Sequence, residues 1–555
     1  VVLFAYGYRI GEVPLAPLLD VKVSCKIKIT APSNKSKRNP VLVSAGCHVP
    51  DASFPHVDPD DTASSIGGVK KRFAFKPPDP DPVLMQELYA YTRKFINKHF
   101  KPLSPDTDLS VETWLSGTSY PEWRKDELRQ IYAKFPLKFG VKLPKKVTSC
   151  KSFIKRETYD TFKHSRAINS RSDAFKCLIG PVIKQIESVV YQYPAFIKHV
   201  PVNKRPQYIM DLLSAAGFEY GDSDYTSFEA QFVSATMEVE MILYEHMVGH
   251  LPHAKDIIYT MRDVMMGRNE CFFKGFSVSV QATRMSGEMS TSLGNGFANL
   301  MFLRFMAKKV GCRKIRCAVE GDDSINRMVG TPPTTADFEK LGLVIKINRH
   351  ASINTASFCG IVFDPDDKVN ITDPRKVLLN FSWLDSRYVH ARQSKLRALL
   401  RCKALSLAHQ FPGAPIIQEL AQYGLRVTRG ADVRQIVESR AFDEYHRQRI
   451  RDASNSVVSV SPVLINTRLL MERMWGVSVE DQLSIERYLA SKQDLSPIEL
   501  PRNLIKLDWF RYAQRYVLPL LDGERHLPFI PSDVTPEQVL AAPAGSIFHY
   551  TSKCA

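Results

Sequence analysis

Three short strings in the middle of the chain hold the residue types that do chemistry. The first is Phe218-Glu219-Tyr220-Gly221-Asp222-Ser223-Asp224-Tyr225-Thr226-Ser227-Phe228-Glu229. As a strand over 218–224 it puts Asp222 and Asp224 on one face, because side chains alternate. Phe228, Phe232 and Met237 suit a helix that follows. A carboxylate at the C-terminal end of a strand, just before a helix, is well placed to hold a metal ion. The second string is Ser286-Gly287-Glu288-Met289-Ser290-Thr291-Ser292-Leu293-Gly294-Asn295-Gly296-Phe297, a loop of small residues running into a helix. Gly287, Gly294 and Gly296 let backbone approach a ligand closely. The helix carries Phe297, Leu300, Met301 and Phe305 on one side and stops at Lys308-Lys309 before Gly311. The third string runs from Ile315 to Met328. Its Ile315, Cys317 and Val319 alternate as on a half-buried strand, a second strand starts at Ser324, and Gly321-Asp322-Asp323 is the hairpin tip between them.

Each string alone has a bland reading: turn acids, a flexible glycine loop, a polar hairpin tip. Together they describe one site. Antiparallel neighbours in one sheet bring Asp224 and Asp322 side by side. Carboxylates holding two Mg²⁺ ions about 4 Å apart are the arrangement used for in-line nucleotidyl transfer. One ion activates an attacking 3′-hydroxyl, and the other steadies the triphosphate and the leaving pyrophosphate. Magnesium keeps waters and phosphate oxygens in its shell, so two or three carboxylates suffice.

The order and spacing of these strings resemble motifs A, B and C of the RNA-dependent RNA polymerases of positive-strand RNA viruses, the tombusvirus-like and flavivirus-like group most. Motif A, Asp-x4-acid, is met by Asp224 and Glu229. Motif B, Ser-Gly-x3-Thr-x3-Asn, is met by Ser286, Gly287, Thr291 and Asn295. Motif C is Gly321-Asp322-Asp323. Asp222 is a rival for Asp224, but five residues beyond it stands Ser227, which breaks the pattern. The chain departs from the group at Glu229, where an aspartate is usual, so the reach of that carboxylate differs by a methylene. The resemblance implies ligand roles for Asp224, Asp322 and Asp323. It implies contacts of Glu229, Ser286, Thr291 and Asn295 with the nucleotide and its ribose, and of Gly287 with RNA.

Further strings fit the same family. Residues 151–185 are basic, and Lys155-Arg156-Glu157, Lys163 and Arg166-Ala167-Ile168 resemble motif F, whose cations neutralise the incoming triphosphate. Leu341–Lys346 resembles motif D, which makes Lys346 the group that protonates pyrophosphate. Phe358-Cys359-Gly360 resembles motif E, the grip on the primer strand, and Ser116-Gly117-Thr118 stands where motif G would contact template. The resemblance covers about residues 83–415; the first 80 and last 140 residues match no motif.

Several elements must position these groups. Leu84, Leu88, Tyr91 and Ile96 predict a helix over Val83–His99. Residues 30–82 are dense in proline and predict an extended, looped region. Its acids, like those of Asp364–Asp367, read as turn formers and N-caps rather than metal ligands. From about residue 376 the pattern is mostly helical, and Ser386–Lys403 carries six Lys or Arg and no acid. Within it, Arg392, Lys395 and Arg397 are candidates for the backbone of an RNA duplex. No P-loop string occurs.

Composition agrees. The 555 residues are 44% hydrophobic and 24% charged, which excludes a wholly disordered chain, and no apolar run is long enough for a membrane-spanning helix. A net charge of +17 favours a polyanionic partner, nucleic acid before an anionic membrane. The ten cysteines form no CxxC pair and read as reduced thiols of a cytosolic protein. Val1 in place of Met reads as a processed or truncated start.

The resemblance implies an α+β fold, a right-hand polymerase with an antiparallel-sheet palm at 222–375 and fingers at 83–221 joined by 243–280. A helical thumb at 376–555 and an N-terminal extension at 1–82, packing on fingers and thumb, complete it. It implies template-directed RNA synthesis from NTPs with two Mg²⁺ ions, for which Mn²⁺ can substitute. Template RNA, the product duplex and NTPs are its partners. Other viral replication proteins would carry it to host membranes, in replication complexes of the cytoplasm. Two alternatives stand beside this: a non-catalytic RNA-binding replication factor that kept the fold, and a reverse transcriptase. Gly-Asp-Asp in place of Ala-Asp-Asp argues against the second.

Overall fold

The computed structural model describes residues 3–31, 38–214, 219–439, 444–455 and 460–519. It is a mixed α and β architecture built on three sheets of four or five strands. The central sheet has four antiparallel strands in the order Ile345–His350, Glu219–Tyr225, Asp323–Val329, Lys314–Glu320. Both ladders of Glu219–Tyr225 run without a bulge, with Ser223 opposite Ser324 on one side and Asp224 opposite Lys346 on the other. The sheet is covered on both faces, so Lys314–Glu320 is not the half-buried strand its alternation predicts. Cys317 and Val319 join the main core, whereas Ala318 and Ile325 face a smaller cluster with Ile197, Ile209 and Phe358.

Helices supply the main core. Pro82–His99 forms as its apolar spacing predicts, with Asp81 accepting from the Val83 and Leu84 amides at 2.8 and 3.1 Å. Thr291–Lys309 lies almost wholly buried against it and against Ser234–Val248. This helix starts six residues before the first apolar position that predicts it. Gly294 and Gly296 therefore sit inside it rather than in a ligand loop. A Cβ at Gly294 would stand 2.1 Å from Glu240 Oε2 and 2.7 Å from Arg284 Nη2, so that glycine is there for packing.

The second sheet runs Lys26–Ile29, Phe276–Gln281, Arg268–Phe273, Cys150–Ile154, Ala167–Arg171. The third runs Trp383–Asp385, Pro40–Ser44, Leu3–Tyr6, Val517–Pro519 and joins the two ends of the described chain. The first 80 residues thus contribute strands to two sheets. The looped reading of 30–82 is corrected by the helix Thr62–Arg72, which was missed because it buries small and polar residues, among them Ser64, Ser65, Gly67 and Gly68, instead of an apolar stripe. The acids around it act as read: Asp58 accepts from the Asp60 amide, and Asp61 caps the helix through the Ser64 amide. The C-terminal part is helical as expected, and its core holds Tyr423 and Trp509.

One buried cation ties the N-terminal segment to the centre. Lys22 Nζ donates to the Phe232 carbonyl and to Thr283 Oγ1, each at 2.7 Å. Burial pulls its pKa down from 10.5 to about 7, slightly opposed by Cys25. A base with a depressed folded pKa binds fewer protons folded than unfolded between those two values, so stability rises with pH across that window. Lys22→Met has no proton to lose, and its stability gain from pH 7 to pH 9.5 is expected to be smaller than the wild type's. Urea midpoints of both proteins at the two pH values check this, and equal gains refute it.

Candidate active site

The acidic residues of the three strings meet at one end of the central sheet. Glu219–Tyr225 carries Asp224 out to an exposed position, and Lys346 is its ladder partner, also exposed. The hairpin turns at Gly321-Asp322, with Gly321 in the left-handed region at φ +60° and Asp323 opposite Glu320 as the last pair. Asp222 shares a face with Asp224 but lies deeper. It accepts from Asn348 Nδ2 at 2.6 Å and the Ser357 amide at 3.0 Å, and it pairs with His350 at 2.7 Å. Those bonds commit it to holding the sheet.

The cluster is electrostatically strained. Asp322 is pushed up to about 6 by burial and by Glu229 and Asp224, against the pull of Arg166. Asp323 is pushed up to about 7 by burial and by Asp322 and Asp224. The Cys359 thiol lies against the Asp323 carboxylate, and burial and that charge raise its pKa. Among the described residues no three His, Cys, Asp or Glu side chains converge as they stand into a metal cage. The donor chemistry nevertheless fits hard divalent cations: carboxylate oxygens that repel one another and would be relieved by positive charge.

The Ser286–Asn295 string closes over this end. Ser286 Oγ donates to Glu229 Oε1 at 3.0 Å, which joins the two sequence motifs directly. Gly287 has φ +113°, and a Cβ there would press on Ile168 and the Asn169 carbonyl at 3.1 and 3.3 Å. Glu288 pairs with the buried Arg171, anchoring the loop to the second sheet. Thr291 donates to the Met285 carbonyl at 2.9 Å, so its hydroxyl holds the loop closed. Asn295 is 5% exposed, and its Oδ1 has no partner among the described residues.

The basic residues divide. Arg166 lies in the field of the acids: burial alone would lower its pKa, but Glu157, Glu229 and Asp322 raise it. Lys155 pairs with Glu157, Arg156 reaches Asp385 at 3.2 Å and the Ser386 hydroxyl at 2.7 Å, and Lys163 pairs with Asp160 at 2.8 Å. Most of this stretch thus ties itself and the 376–386 region together. Such partly exposed pairs are worth little. A cavity of about 1470 Å³ opens between the second sheet and the C-terminal helices, with Lys155, Arg156, Lys274, Lys376, Arg387 and Lys403 on its wall. The acidic cluster does not line it.

In Gln393–Gln410 and just before it, Arg392 and Lys395 are exposed. Arg397 is exposed as well, and one of its guanidinium nitrogens donates to the Val427 carbonyl at 2.8 Å, at the end of the neighbouring helix. Arg401 and Lys403 are spent on backbone carbonyls in the same way.

Two connections were missed from sequence. Asn299, fully buried, donates from Nδ2 to the Gly321 and Asp323 carbonyls at 3.1 Å each and accepts from the Tyr225 hydroxyl at 3.2 Å. Its signal was its place four residues after Asn295, on the same helix face. Arg284 and Glu240 form a fully buried pair at 2.8 Å beneath Gly294, and nothing in their spacing announces it.

Comparison with known proteins falls on the same residues. Residues 224–329 match the model of a family described as viral RNA dependent RNA polymerase. The chain is 24% identical over 341 residues to the RNA replication polyprotein of Potato virus M (strain Russian), covering 56% of this chain and 16% of that protein. It is 22% identical over 421 residues to the RNA-directed RNA polymerase of Maize chlorotic mottle virus (isolate United States/Kansas/1987), covering 71% of this chain and 41% of the relative. The chain spans less than half the length of either.

Proposed function

We propose, from the premise that the segment bearing all the acids matches the viral RNA dependent RNA polymerase family, that this chain copies an RNA template into RNA. The observation that carries the reading is the convergence of Asp224, Asp322 and Asp323 at one sheet end, beside Glu229 hydrogen-bonded to Ser286. A like-charged cluster of this kind costs stability, and a factor that only bound RNA would have no use for it. In this reading the central sheet is the palm, the 83–221 and 243–280 regions with the second sheet are the fingers, and the C-terminal helices are the thumb.

Asp224, Asp322 and Asp323 would hold two divalent cations, which when bound supply charge neutralisation at the reacting phosphate and activation of the 3′-hydroxyl. The chain's own groups do the rest. Arg166, assisted by Lys155, Arg156 and Lys163 once they exchange their carboxylate partners, binds the triphosphate. Ser286 and Glu229 face the ribose, and Asn295 offers it an unengaged carbonyl oxygen. Thr291 acts behind them by keeping the loop shut. The 3′-hydroxyl gives up its proton to solvent as its oxygen bonds the α-phosphorus and the bond from that phosphorus to pyrophosphate breaks; Lys346, beside Asp224, delivers the proton the leaving pyrophosphate takes up. The chain would work in the host cytoplasm, with other viral replication proteins carrying it to membranes. No helix among the described residues is long and apolar enough to cross a membrane.

The test is incubation of the protein with homopolymeric RNA, each labelled NTP or dNTP and Mg²⁺, with and without a primer. Incorporation that follows the template base, with UTP strongly preferred to dUTP opposite adenine, supports the reading; its absence with every template overturns it.

The basic surfaces should separate in RNA titrations at several salt concentrations and in the NTP dependence of incorporation. Arg392→Ala with Lys395→Ala is expected to flatten the salt dependence of RNA binding by about one unit of slope per lost phosphate contact. Adding Arg397→Ala should change less, because one of its guanidinium nitrogens already serves Val427 and holds the side chain toward the neighbouring helix. Arg166→Ala should raise the NTP requirement and leave RNA affinity nearly unchanged. Equal losses of RNA affinity from both sites would sink the division.

A further inference from the structure

We infer that Asn299 is a positioning residue, which holds the Gly321-Asp322-Asp323 tip in register with the strand bearing Asp224. Its consequence for catalysis rests on the polymerase reading; the tie itself does not. The amide uses both donors and its acceptor, and its three partners are the residues that flank the acids. Gly321 and Asp323 bracket Asp322, and Tyr225 follows Asp224. The ladder between the hairpin strands ends at Asp323 and Glu320, so it does not fix the turn beyond that pair. Gly296, about one helical turn before Asn299, lies against the tip: a Cβ there would stand 3.6 Å from the Gly321 amide nitrogen, ordinary contact distance. The helix face Asn295-Gly296-Asn299 therefore runs along the tip, and its side-chain amide at 299 closes the contact.

Physical necessity points the same way. Carboxylates at a turn repel one another, and that repulsion pushes the tip away from the neighbouring strand. Two hydrogen bonds on the carbonyls either side of Asp322, joined through one amide to the strand of Asp224, oppose this without adding charge. A buried amide whose two donors and carbonyl oxygen are all engaged has one orientation. Reacting groups must be held within about 0.5 Å, and a displacement of about 1 Å can cost about 100-fold in rate.

Asn299→Asp keeps the shape and the acceptor for Tyr225 but loses the paired donors. Tyr225→Phe removes the other leg and keeps the ring that packs 4.3 Å from Phe228. Two measurements are made on wild type and both variants: hydrogen exchange of the amides in 317–328, and kcat and KM for single-nucleotide addition with RNA affinity alongside. The expected result is faster exchange confined to the tip and, for Asn299→Asp, a fall in kcat of about 30- to 100-fold with KM and RNA affinity within about twofold. Tyr225→Phe should fall about three- to tenfold in the same pattern. Unchanged exchange at the tip overturns the tie. Faster exchange with unchanged kcat, or a loss that appears in KM or RNA affinity instead, overturns the positioning role. Wild-type protein that adds no nucleotide overturns the polymerase reading and with it the catalytic consequence, while the exchange data still decide the tie.

Discussion

Asp322→Asn is expected to abolish nucleotide incorporation and, in the same protein, to raise the thermal midpoint measured in EDTA. The first effect follows from removing a group that would bind a cation at the reacting phosphate, where single electrostatic contacts are worth about 100- to 1000-fold. The second follows from the cluster itself. Asp322 is half-buried among Glu229, Asp224 and Asp323, with Arg166 as the nearby cation that offsets them. Asparagine has nearly the same volume and removes that repulsion, so the metal-free fold should gain about one to three degrees. Asp224→Asn should be equally inactive with a smaller gain, since Asp224 stands exposed. RNA affinity should stay within about twofold for both. Single-nucleotide addition, RNA titration and thermal melts in EDTA decide it. Near-normal synthesis in either variant, or a lower midpoint for Asp322→Asn, would show that these acids are structural.

The largest loss of stability is expected from splitting the pair beneath the Thr291–Lys309 helix. Arg284 and Glu240 are 0% exposed, 2.8 Å apart, with the guanidinium 4.5 Å over the Phe232 ring and the Tyr244 hydroxyl donating to Glu240 at 3.1 Å. Removing one partner strands the other charge where water does not reach it, at a cost of about 3–5 kcal/mol. Glu240→Ala and Arg284→Ala should each lose that much in urea denaturation. The double replacement by methionine should recover most of it, because the unpaired charge is then gone too. A double variant no better than the single ones would mean that shape, not charge, sets the cost. Gly294 rests directly on this pair, so the single variants should also loosen the helix that carries Asn295 and Asn299.

Much of the site was legible because local spacing fixes it. Asp224 and Glu229, Ser286 and Asn295, and Gly321-Asp322-Asp323 each span one strand-to-helix, loop-to-helix or hairpin connection, and the predicted antiparallel neighbours are adjacent in the central sheet. The helix at Pro82–His99 was legible through its apolar stripe and its proline start. What stayed hidden depends on packing between distant segments. The Thr62–Arg72 helix buries small polar residues and has no apolar period to read. The true start of Thr291–Lys309 was hidden by its glycines, of which Gly294 serves close packing there. Arg397, read as a ligand of the RNA backbone, and Lys403, read only as part of a basic stretch, also donate to carbonyls of neighbouring segments, a partner no sequence pattern names.

The third sheet sets a schedule for making the molecule. Its Leu3–Tyr6 strand lies between Pro40–Ser44 and Val517–Pro519. The Tyr512 hydroxyl, which donates to the Tyr6 carbonyl, is 506 residues further along, so at about 5–20 residues per second the ribosome delivers it about 25–100 s later. During that interval one edge of the first strand stays open, a template for pairing with any other extended chain nearby. The nascent protein must therefore keep that edge shielded while the central sheet and its helices assemble, until Val517–Pro519 is made and seals it.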